Sequence, residues 1–228
     1  MRRTIELGKI IGIRFKDLEL YEKALTHPSY NADAKTKHED YERLEFMGDA
    51  VLGFVSADLI FKMHPNLSQG NMTKLRSNLV KTTALASYAR KISLAEFIRT
   101  GHSIDSNKIN ESDKILEDVF EALIGAIFLD HGMDEAYVFV AKFLTDLILN
   151  FDESTLTDYK TKLQEEMQAE FRDSVKYVVV ETTGPAHDRR FKVNVLFNDI
   201  VLGTGEGKSK KEAQEEAAKD ALNKRSVL

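Results

Sequence analysis

Carboxylates at helical spacing occur in two segments of the sequence, each time next to apolar residues. In the first segment Glu45 and Asp49 are four residues apart, so they share one face of a helix, and Glu42 joins that face from three residues earlier. In the second segment Asp118 and Glu121 are three residues apart and again share a face. Two helices that each offer a pair of carboxylates could line a common pocket.

Burial decides what these carboxylates can do. A buried charge without a partner costs several kcal/mol, comparable with the stability of a small domain, so Glu121 and Asp49 are expected to face a cation. Glu42 taken alone is expected to be a solvated surface residue, and Asp118 could instead stabilise the N-terminal end of its helix. Arg43 can pair with one carboxylate but not with four. A bound cation is therefore the better expectation for the set.

A pocket lined only by carboxylate oxygens favours certain cations, and the bound cation in turn limits the reactions that the pocket can catalyse. Hard divalent ions such as Mg²⁺ prefer carboxylate oxygens, and Mn²⁺ accepts the same ligands. A redox di-iron site on helices would require a histidine three residues after a glutamate, and none of the six histidines has that position. The pocket therefore favours Mg²⁺-assisted hydrolysis of a phosphodiester over redox chemistry.

Helices must carry these carboxylates, and residues 1–150 predict an all-α domain. Apolar residues recur there with a period near 3.6 and show no alternating strand pattern. The predicted helices cover roughly residues 17–26, 40–62, 72–90, 113–130 and 134–149. Gly101 and the polar residues 102–112 are predicted to form a loop, and the short acidic segment 151–157 is predicted to be a linker.

The remaining segment, residues 158–226, predicts a small α+β domain. Its first helix is marked by apolar residues at every fourth position, namely Tyr159, Leu163, Met167 and Phe171. Three segments of strand character follow, and an Asn198-Asp199 turn joins the last two. Ser209 and Glu212 form a capping box before a final helix with an alanine-rich stripe. The order α-β-β-β-α predicts an antiparallel sheet with both helices on one face.

Neutral polar side chains line the first helix of this domain beside its apolar stripe. Thr161, Gln164 and Gln168 fall at positions i, i+3 and i+7, so they share a face. Such side chains can reach ribose hydroxyls and base edges in the shallow minor groove of RNA. An ordinary polar surface is an equally good interpretation of these three residues alone.

Lysines crowd the N-terminus of the last predicted helix. Lys208, Lys210 and Lys211 have the wrong sign for the helix dipole, so helix stability does not explain them. Lysines and free N–H groups at a helix N-terminus both favour a phosphate group. His187, at the tip of an earlier turn and beside two arginines, is a further candidate contact.

Composition narrows the class of protein. The chain has no cysteine, so disulfides and a cysteine-based zinc site are excluded. It has no apolar run of the roughly 18 residues that a membrane span requires, and its first ten residues do not resemble a signal peptide. We therefore expect a soluble, cytoplasmic protein without a membrane partner. The net charge is −5, but residues 156–228 contain 13 basic and 13 acidic residues, so the acidic excess lies in residues 1–155.

Four short motifs follow one another along the chain: ERLEFMGD at 42–49, DVFEALIG at 118–125, GPAH at 184–187 and GEGKSKKEA at 205–213. Together they resemble the ribonuclease III family, bacterial endonucleases that cleave double-stranded RNA. The first two resemble the acidic motifs of its endonuclease domain, with Met47 where leucine is usual. The last two resemble its double-stranded-RNA-binding domain, so the resemblance spans nearly the whole chain.

The resemblance implies a role for each candidate residue. The metal ligands would be Glu45, Asp49, Asp118 and Glu121, with Asp49 and Glu121 as catalytic residues. The RNA contacts would be Thr161, Gln164, Gln168, His187, Lys208, Lys210 and Lys211. Glu42 and Phe46 would lie at a homodimer interface. The cofactor would be Mg²⁺ or Mn²⁺, and the products would carry 5′-phosphate and 3′-hydroxyl ends with short 3′ overhangs. The substrates would be structured precursors of ribosomal, messenger and transfer RNA.

One position departs from the family pattern, and one alternative function remains open. Relatives often have glutamate where this chain has Gln69, so a metal or dimer role of that position is in doubt here. The alternative is a protein that binds double-stranded RNA without cleaving it. Relatives of that kind usually lose the acidic residues, whereas all four are present in this chain.

Overall fold

The computed structural model of the chain describes residues 2–33, 38–152, 158–185 and 188–225. The chain divides into two compact units, Met1–Asp152 and Glu153–Leu228. Of the linker predicted at 151–157, residues 153–157 lie outside the described residues. Each unit buries its own set of apolar side chains.

The N-terminal unit is built of helices, as its apolar periodicity predicts. Its α-helices are α1 (Arg2–Ile11), α2 (Leu18–Ala24), α3 (Tyr30–Asp33), α4 (Glu42–Met63), α5 (Gln69–Leu79), α6 (Thr82–Lys91), α7 (Asp113–His131) and α8 (Met133–Leu149). Two short 3-10 helices, Leu94–Phe97 and Ser106–Glu111, lie between α6 and α7. None of the described helices combines the length and apolar character needed to cross a membrane.

The sequence prediction lacks helices α1 and α3, gives one helix where α5 and α6 lie, and gives a loop where the second 3-10 helix lies. Helix α1 was not predicted, because its buried positions include Thr4 and Gly8 and therefore leave the apolar pattern incomplete. The single helix predicted at 72–90 is in fact two helices, since α5 ends at Leu79 and the extended backbone of Lys81 precedes the start of α6 at Thr82. Uninterrupted apolar spacing across a tight connection concealed this break.

Helix α7 lies at the centre of the N-terminal core. Every residue from 118 to 127 is buried, because α4, α6 and α8 all pack against this helix. Glycines allow α4 and α7 to approach closely: a Cβ atom on Gly48 would meet the carbonyl oxygen of Glu121, and one on Gly125 would meet that of Leu44. The acidic segments of the two helices therefore lie side by side.

The C-terminal unit has the predicted α-β-β-β-α order. Its elements are α9 (Tyr159–Phe171), β1 (Lys176–Thr183), β2 (Arg190–Phe197), β3 (Ile200–Gly207) and α10 (Lys210–Arg225). The strands form an antiparallel sheet in the order β1-β2-β3. Asn198 and Asp199 have φ values of 48° and 64°, which suit the tight turn predicted between β2 and β3.

Both helices of this unit pack on one face of the sheet. Leu163 and Met167 of α9 and Val193 of β2 are buried in one cluster with the alanine stripe of α10. This arrangement confirms the predicted α+β fold. Phe171, predicted as part of the same buried stripe, is 48% exposed because it lies in the last turn of α9, where its ring contacts that of Phe197.

Candidate metal centre and nucleic-acid interface

Helices α4 and α7 bring three of the four predicted metal ligands together. Glu45 from α4 and Asp118 and Glu121 from α7 each place one carboxylate oxygen within 4.8 Å of the others. Glu45 is half-buried, whereas Asp118 and Glu121 are only 6% and 8% exposed. We call these three residues the acidic cluster. The close glycine contact between the helices permits its short spacing.

Asp49 borders the acidic cluster without belonging to it. The residue lies one turn beyond Glu45 on α4 and is exposed, although its apolar neighbours in the sequence led us to expect burial. Its charge still reaches the cluster, since it contributes to the raised pKa of Glu121. The structure therefore places Asp49 at the solvent side of the other three carboxylates.

Burial and mutual repulsion make the acidic cluster difficult to ionise. Burial raises the pKa of Glu121 to about 8, and the negative charge of Asp49 adds to this rise. Burial also raises the pKa of Glu45, and the charge of Asp118 contributes. At neutral pH the ion-free chain therefore favours a proton on Glu121, and a cation in the cluster would favour its release.

Two side chains contact the carboxylate of Asp118. The hydroxyl group of Tyr41 donates a hydrogen bond to Asp118 Oδ2 at 3.1 Å, and both residues are buried. The ammonium group of Lys114 lies 2.6 Å from Asp118 Oδ1 and 3.5 Å from Glu117 Oε2. The contact with the buried Oδ1 is a close ion pair.

Sequence reasoning did not identify Tyr41 or Lys114 as parts of the site. Burial raises the pKa of Tyr41, and the contact with Asp118 raises the pKa of Lys114, so both groups keep their protons at neutral pH. Lys114 could have been found, because it lies one helical turn before Asp118. Tyr41 could not, because 77 residues separate it from Asp118.

The acidic cluster fits a hard divalent cation such as Mg²⁺. All three residues offer carboxylate oxygens, which are the ligands that such ions prefer. The buried Asp118 Oδ1 is already ion-paired with the exposed ammonium group of Lys114, a cation that a divalent ion could replace. The raised pKa of Glu121 points the same way, since burial and the neighbouring carboxylates disfavour its ionised form, which a cation would stabilise.

The predicted RNA-contacting residues that the structure describes lie on the surface of the C-terminal unit. Thr161, Gln164 and Gln168 are exposed or half-buried on α9. Lys208, Lys210 and Lys211 are exposed at the start of α10. Ser209 caps this helix, because its hydroxyl accepts a hydrogen bond from the N–H of Glu212 at 3.2 Å. His187 lies outside the described residues.

The predicted interface residues lie on the exposed side of α4. Glu42 is exposed in the first turn of this helix, and Phe46, one turn later, is 78% exposed. Phe54 and Phe61 are also mostly exposed. Gln69, at the start of α5, lines a cavity of about 420 Å³ beside these two aromatic rings.

The two units together define a class of protein. The first carries buried carboxylates that fit a divalent cation, and the second presents lysines at a helix N-terminus. A hydrolytic centre and a separate polyanion-binding domain in one chain are the components of a nuclease.

Family models assign both units. Residues 17–148 match the model described as Ribonuclease-III-like, and residues 159–225 match the double-stranded RNA binding motif. Ribonuclease 3 of Bacillus cereus (strain G9842) is 40% identical over 215 residues, which cover 94% of this chain and 88% of that protein. Ribonuclease 3 of Bacillus anthracis (strain CDC 684 / NRRL 3495) matches with the same identity and coverage.

Solved structures agree with these matches. The nuclease domain of ribonuclease III from Campylobacter jejuni is 33% identical with a TM-score of 0.59, over 67% of this chain and all of that domain. A second structure of that domain, which concerns a region involved in dimer formation, is 35% identical with a TM-score of 0.57, over 62% of this chain and 96% of that one. This chain belongs to the ribonuclease III family and is an endoribonuclease of the ribonuclease III type that acts on double-stranded RNA.

Proposed function

We propose that this chain is a Mg²⁺-dependent endonuclease, with Mn²⁺ as an alternative ion, that hydrolyses phosphodiester bonds of double-stranded RNA. Its products carry 5′-phosphate and 3′-hydroxyl ends and short 3′ overhangs. It acts as a homodimer in the cytoplasm on structured precursors of ribosomal, messenger and transfer RNA. The convergence of Glu45, Asp118 and Glu121 inside a helical core carries this proposal.

Each carboxylate has its own place in the proposed centre. Glu45 of α4 and Asp118 of α7 would hold the ion from the two helices, and Glu121 would provide a further, buried anionic oxygen from α7. Asp49 would complete the ligand set from the exposed side, and we assign catalysis to Asp49 and Glu121. When bound, a divalent ion supplies Lewis-acid polarisation of the phosphate and lowers the pKa of a water molecule.

The C-terminal unit supplies the proposed contacts with RNA. Lys208, Lys210 and Lys211 form no ion pair with the described residues, so their ammonium groups are available to phosphates. The polar face of α9, formed by Thr161, Gln164 and Gln168, is proposed to contact the minor groove. His187 belongs to the proposal by its sequence position alone.

The exposed aromatic face of α4 supports the proposed homodimer. Phe46, Phe54 and Phe61 follow one another at intervals of eight and seven residues, which places them on one side of the helix. Phe54 and Phe61 are 56% and 68% exposed. Single exposed apolar residues are ordinary, but three phenylalanines along one helix face mark an interaction surface. The dimer formation described for the Campylobacter jejuni domain agrees with this assignment.

The substitution Glu121→Gln tests the proposed metal centre. Glutamine preserves the size of the side chain but removes its charge, and a neutral amide is cheaper to bury than a carboxylate, so the fold should survive. Loss of an anionic ligand should weaken ion binding and slow cleavage by about 100-fold or more. Gel-shift and cleavage assays on one RNA duplex should show nearly parental binding.

Two controls complete this test. Glu6→Gln changes an exposed glutamate on α1 and should leave binding and cleavage unchanged. Excess EDTA should abolish cleavage by the parent protein. Cleavage that persists in EDTA would exclude a metal-dependent reaction. If Glu121→Gln loses binding, cleavage and melting temperature together, Glu121 has a structural role and the assignment is wrong.

A further inference from the structure

Tyr41 connects the two helices that form the acidic cluster. Its carbonyl oxygen accepts a hydrogen bond from the N–H of Glu45 at 2.9 Å, and its own N–H donates to the carbonyl oxygen of Thr26 at 3.0 Å. Its hydroxyl group donates to Asp118 Oδ2 on α7 at 3.1 Å. The His27 ring packs edge-on against its ring, with 5.6 Å between the centroids. The hydroxyl group of Tyr41 therefore has a well-defined position beside the cluster.

Tyr41 and Lys114 engage different oxygens of Asp118. Oδ2 accepts the hydrogen bond from the hydroxyl group of Tyr41, whereas the buried Oδ1 is ion-paired with the ammonium group of Lys114. The ammonium group of Lys114 lies 2.6 Å from Oδ1, but its side chain is 67% exposed and can turn away into solvent. An incoming ion can thus reach Oδ1 without disturbing the bond between Tyr41 and Oδ2.

A carboxylate that offers only one oxygen discriminates between divalent ions. Mg²⁺ is small and requires near-ideal octahedral coordination, which single oxygens from several ligands can satisfy. Ca²⁺ is larger, takes six to eight oxygens and often binds both oxygens of one carboxylate. Hydrogen bonds to a ligating carboxylate fix its orientation and thereby affect the ion that it holds.

We propose that Tyr41 is a positioning residue that determines the ion preference of the acidic cluster. By engaging Oδ2, its hydroxyl group keeps Asp118 in a one-oxygen mode that favours Mg²⁺ over Ca²⁺. This inference rests on the proposed metal-dependent function. Without the hydroxyl group, the carboxylate of Asp118 is free to turn and to offer both oxygens, so the cluster loses an oriented Mg²⁺ ligand and gains a ligand atom for Ca²⁺.

The substitution Tyr41→Phe tests the proposal, because it removes the hydroxyl group and keeps the ring. The melting temperature of the full chain without RNA is measured against the concentration of MgCl₂ and, separately, of CaCl₂, which gives an affinity for each ion. We expect the Mg²⁺ affinity to fall about tenfold or more. The Ca²⁺ affinity should stay constant or rise, so the ratio of the two affinities should fall by at least the same factor.

Tyr21→Phe is a matched control, because Tyr21, on α2, also donates to an aspartate of helix α7. The hydroxyl group of Tyr21 donates to Asp130 Oδ2 at 3.0 Å, and Tyr21 is also fully buried. Asp130, however, lies outside the acidic cluster. This variant should lose thermal stability through the same kind of broken hydrogen bond, but its affinities for both ions should equal those of the parent.

The outcomes separate this inference from the proposed function. An unchanged Mg²⁺-to-Ca²⁺ ratio in Tyr41→Phe, with ion binding by the parent intact, overturns the role of Tyr41 and leaves the metal-dependent function standing. Binding of neither ion by the parent overturns both. If Tyr41→Phe does not fold, Tyr41→4-fluorophenylalanine fills the space of the hydroxyl group without a donor, and the same ratio decides.

Discussion

The carboxyl group of Glu121 has very different surroundings in the folded and the unfolded chain. In the folded chain it lies on α7 among buried residues, and burial is the main cause that raises its pKa to about 8. In the unfolded chain water surrounds it, and its pKa is near the ordinary value of 4.5. Folding and protonation of this single residue are therefore coupled.

This coupling predicts how the stability of the ion-free chain depends on pH. The folded chain binds the Glu121 proton more tightly than the unfolded chain, so this contribution to stability is complete below pH 4.5 and is lost as the pH rises through about 8. We expect the melting temperature in EDTA to fall across that window. In Glu121→Gln the fall should be much smaller. An equal fall in both proteins would assign it to other groups.

At the residue scale, the sequence predicted which residues form the site better than which of their side chains are buried. The apolar neighbours of Glu121 were enough to predict its burial, because every residue of α7 from 118 to 127 is buried. The same argument is wrong for the burial of Asp49, since α4 has one exposed face and Asp49 lies on it. Tyr41 shows a second limit: helical spacing carries no information about a contact between residues 77 positions apart.

At the scale of elements, the N-terminus of α10 combines a helix cap with a group of free cations. The predicted capping box forms only in part. The hydroxyl group of Ser209 accepts a hydrogen bond from the N–H of Glu212, but the Glu212 carboxylate accepts one from the N–H of Lys208, at 2.7 Å, rather than from that of Ser209. The ammonium groups of Lys208, Lys210 and Lys211 take no part in these bonds. They are exposed, so they can neutralise phosphates of a duplex.

The triple substitution of Lys208, Lys210 and Lys211 by glutamine should weaken RNA binding in a salt-dependent manner. Each phosphate contact releases counterions, so each lost lysine should reduce the slope of log affinity against log salt by about one. Gel shifts of one duplex over a series of KCl concentrations measure this slope. Lys224→Gln, at the opposite end of α10, should leave it unchanged. A parental slope in the triple variant would rule out phosphate contacts by these lysines.

The sequence predicted which elements exist better than where they break. Apolar periodicity was sufficient for α4, α7 and α8, which are long and pack one face or more into the core. It missed the division between α5 and α6, because the extended residue Lys81 interrupts the helix without glycine or proline. The close approach of α4 and α7 depends on Gly48 and Gly125, which pattern analysis treats only as weak helix formers.

At the scale of the whole molecule, cleavage of both strands of a duplex needs two hydrolytic centres. Each chain has one acidic cluster among its described residues. A twofold homodimer would supply a second, symmetry-related cluster. The exposed aromatic face of α4 is suited to such an interface, because twofold symmetry uses the same surface on both subunits.

The substitution Phe46→Ser should therefore weaken the homodimer without destabilising the monomer, in which Phe46 is 78% exposed. Burial of a phenylalanine contributes about 1.5–3 kcal/mol, and twofold symmetry counts it twice, so the dissociation constant should rise by about two orders of magnitude or more. Light scattering over a concentration series measures this change. Ile10→Ser, on α1 and 51% exposed, is the control.

At concentrations where the Phe46→Ser variant is monomeric, duplex RNA should be nicked in one strand rather than cut in both. A monomeric parent that cuts both strands in one binding event would contradict the dimer.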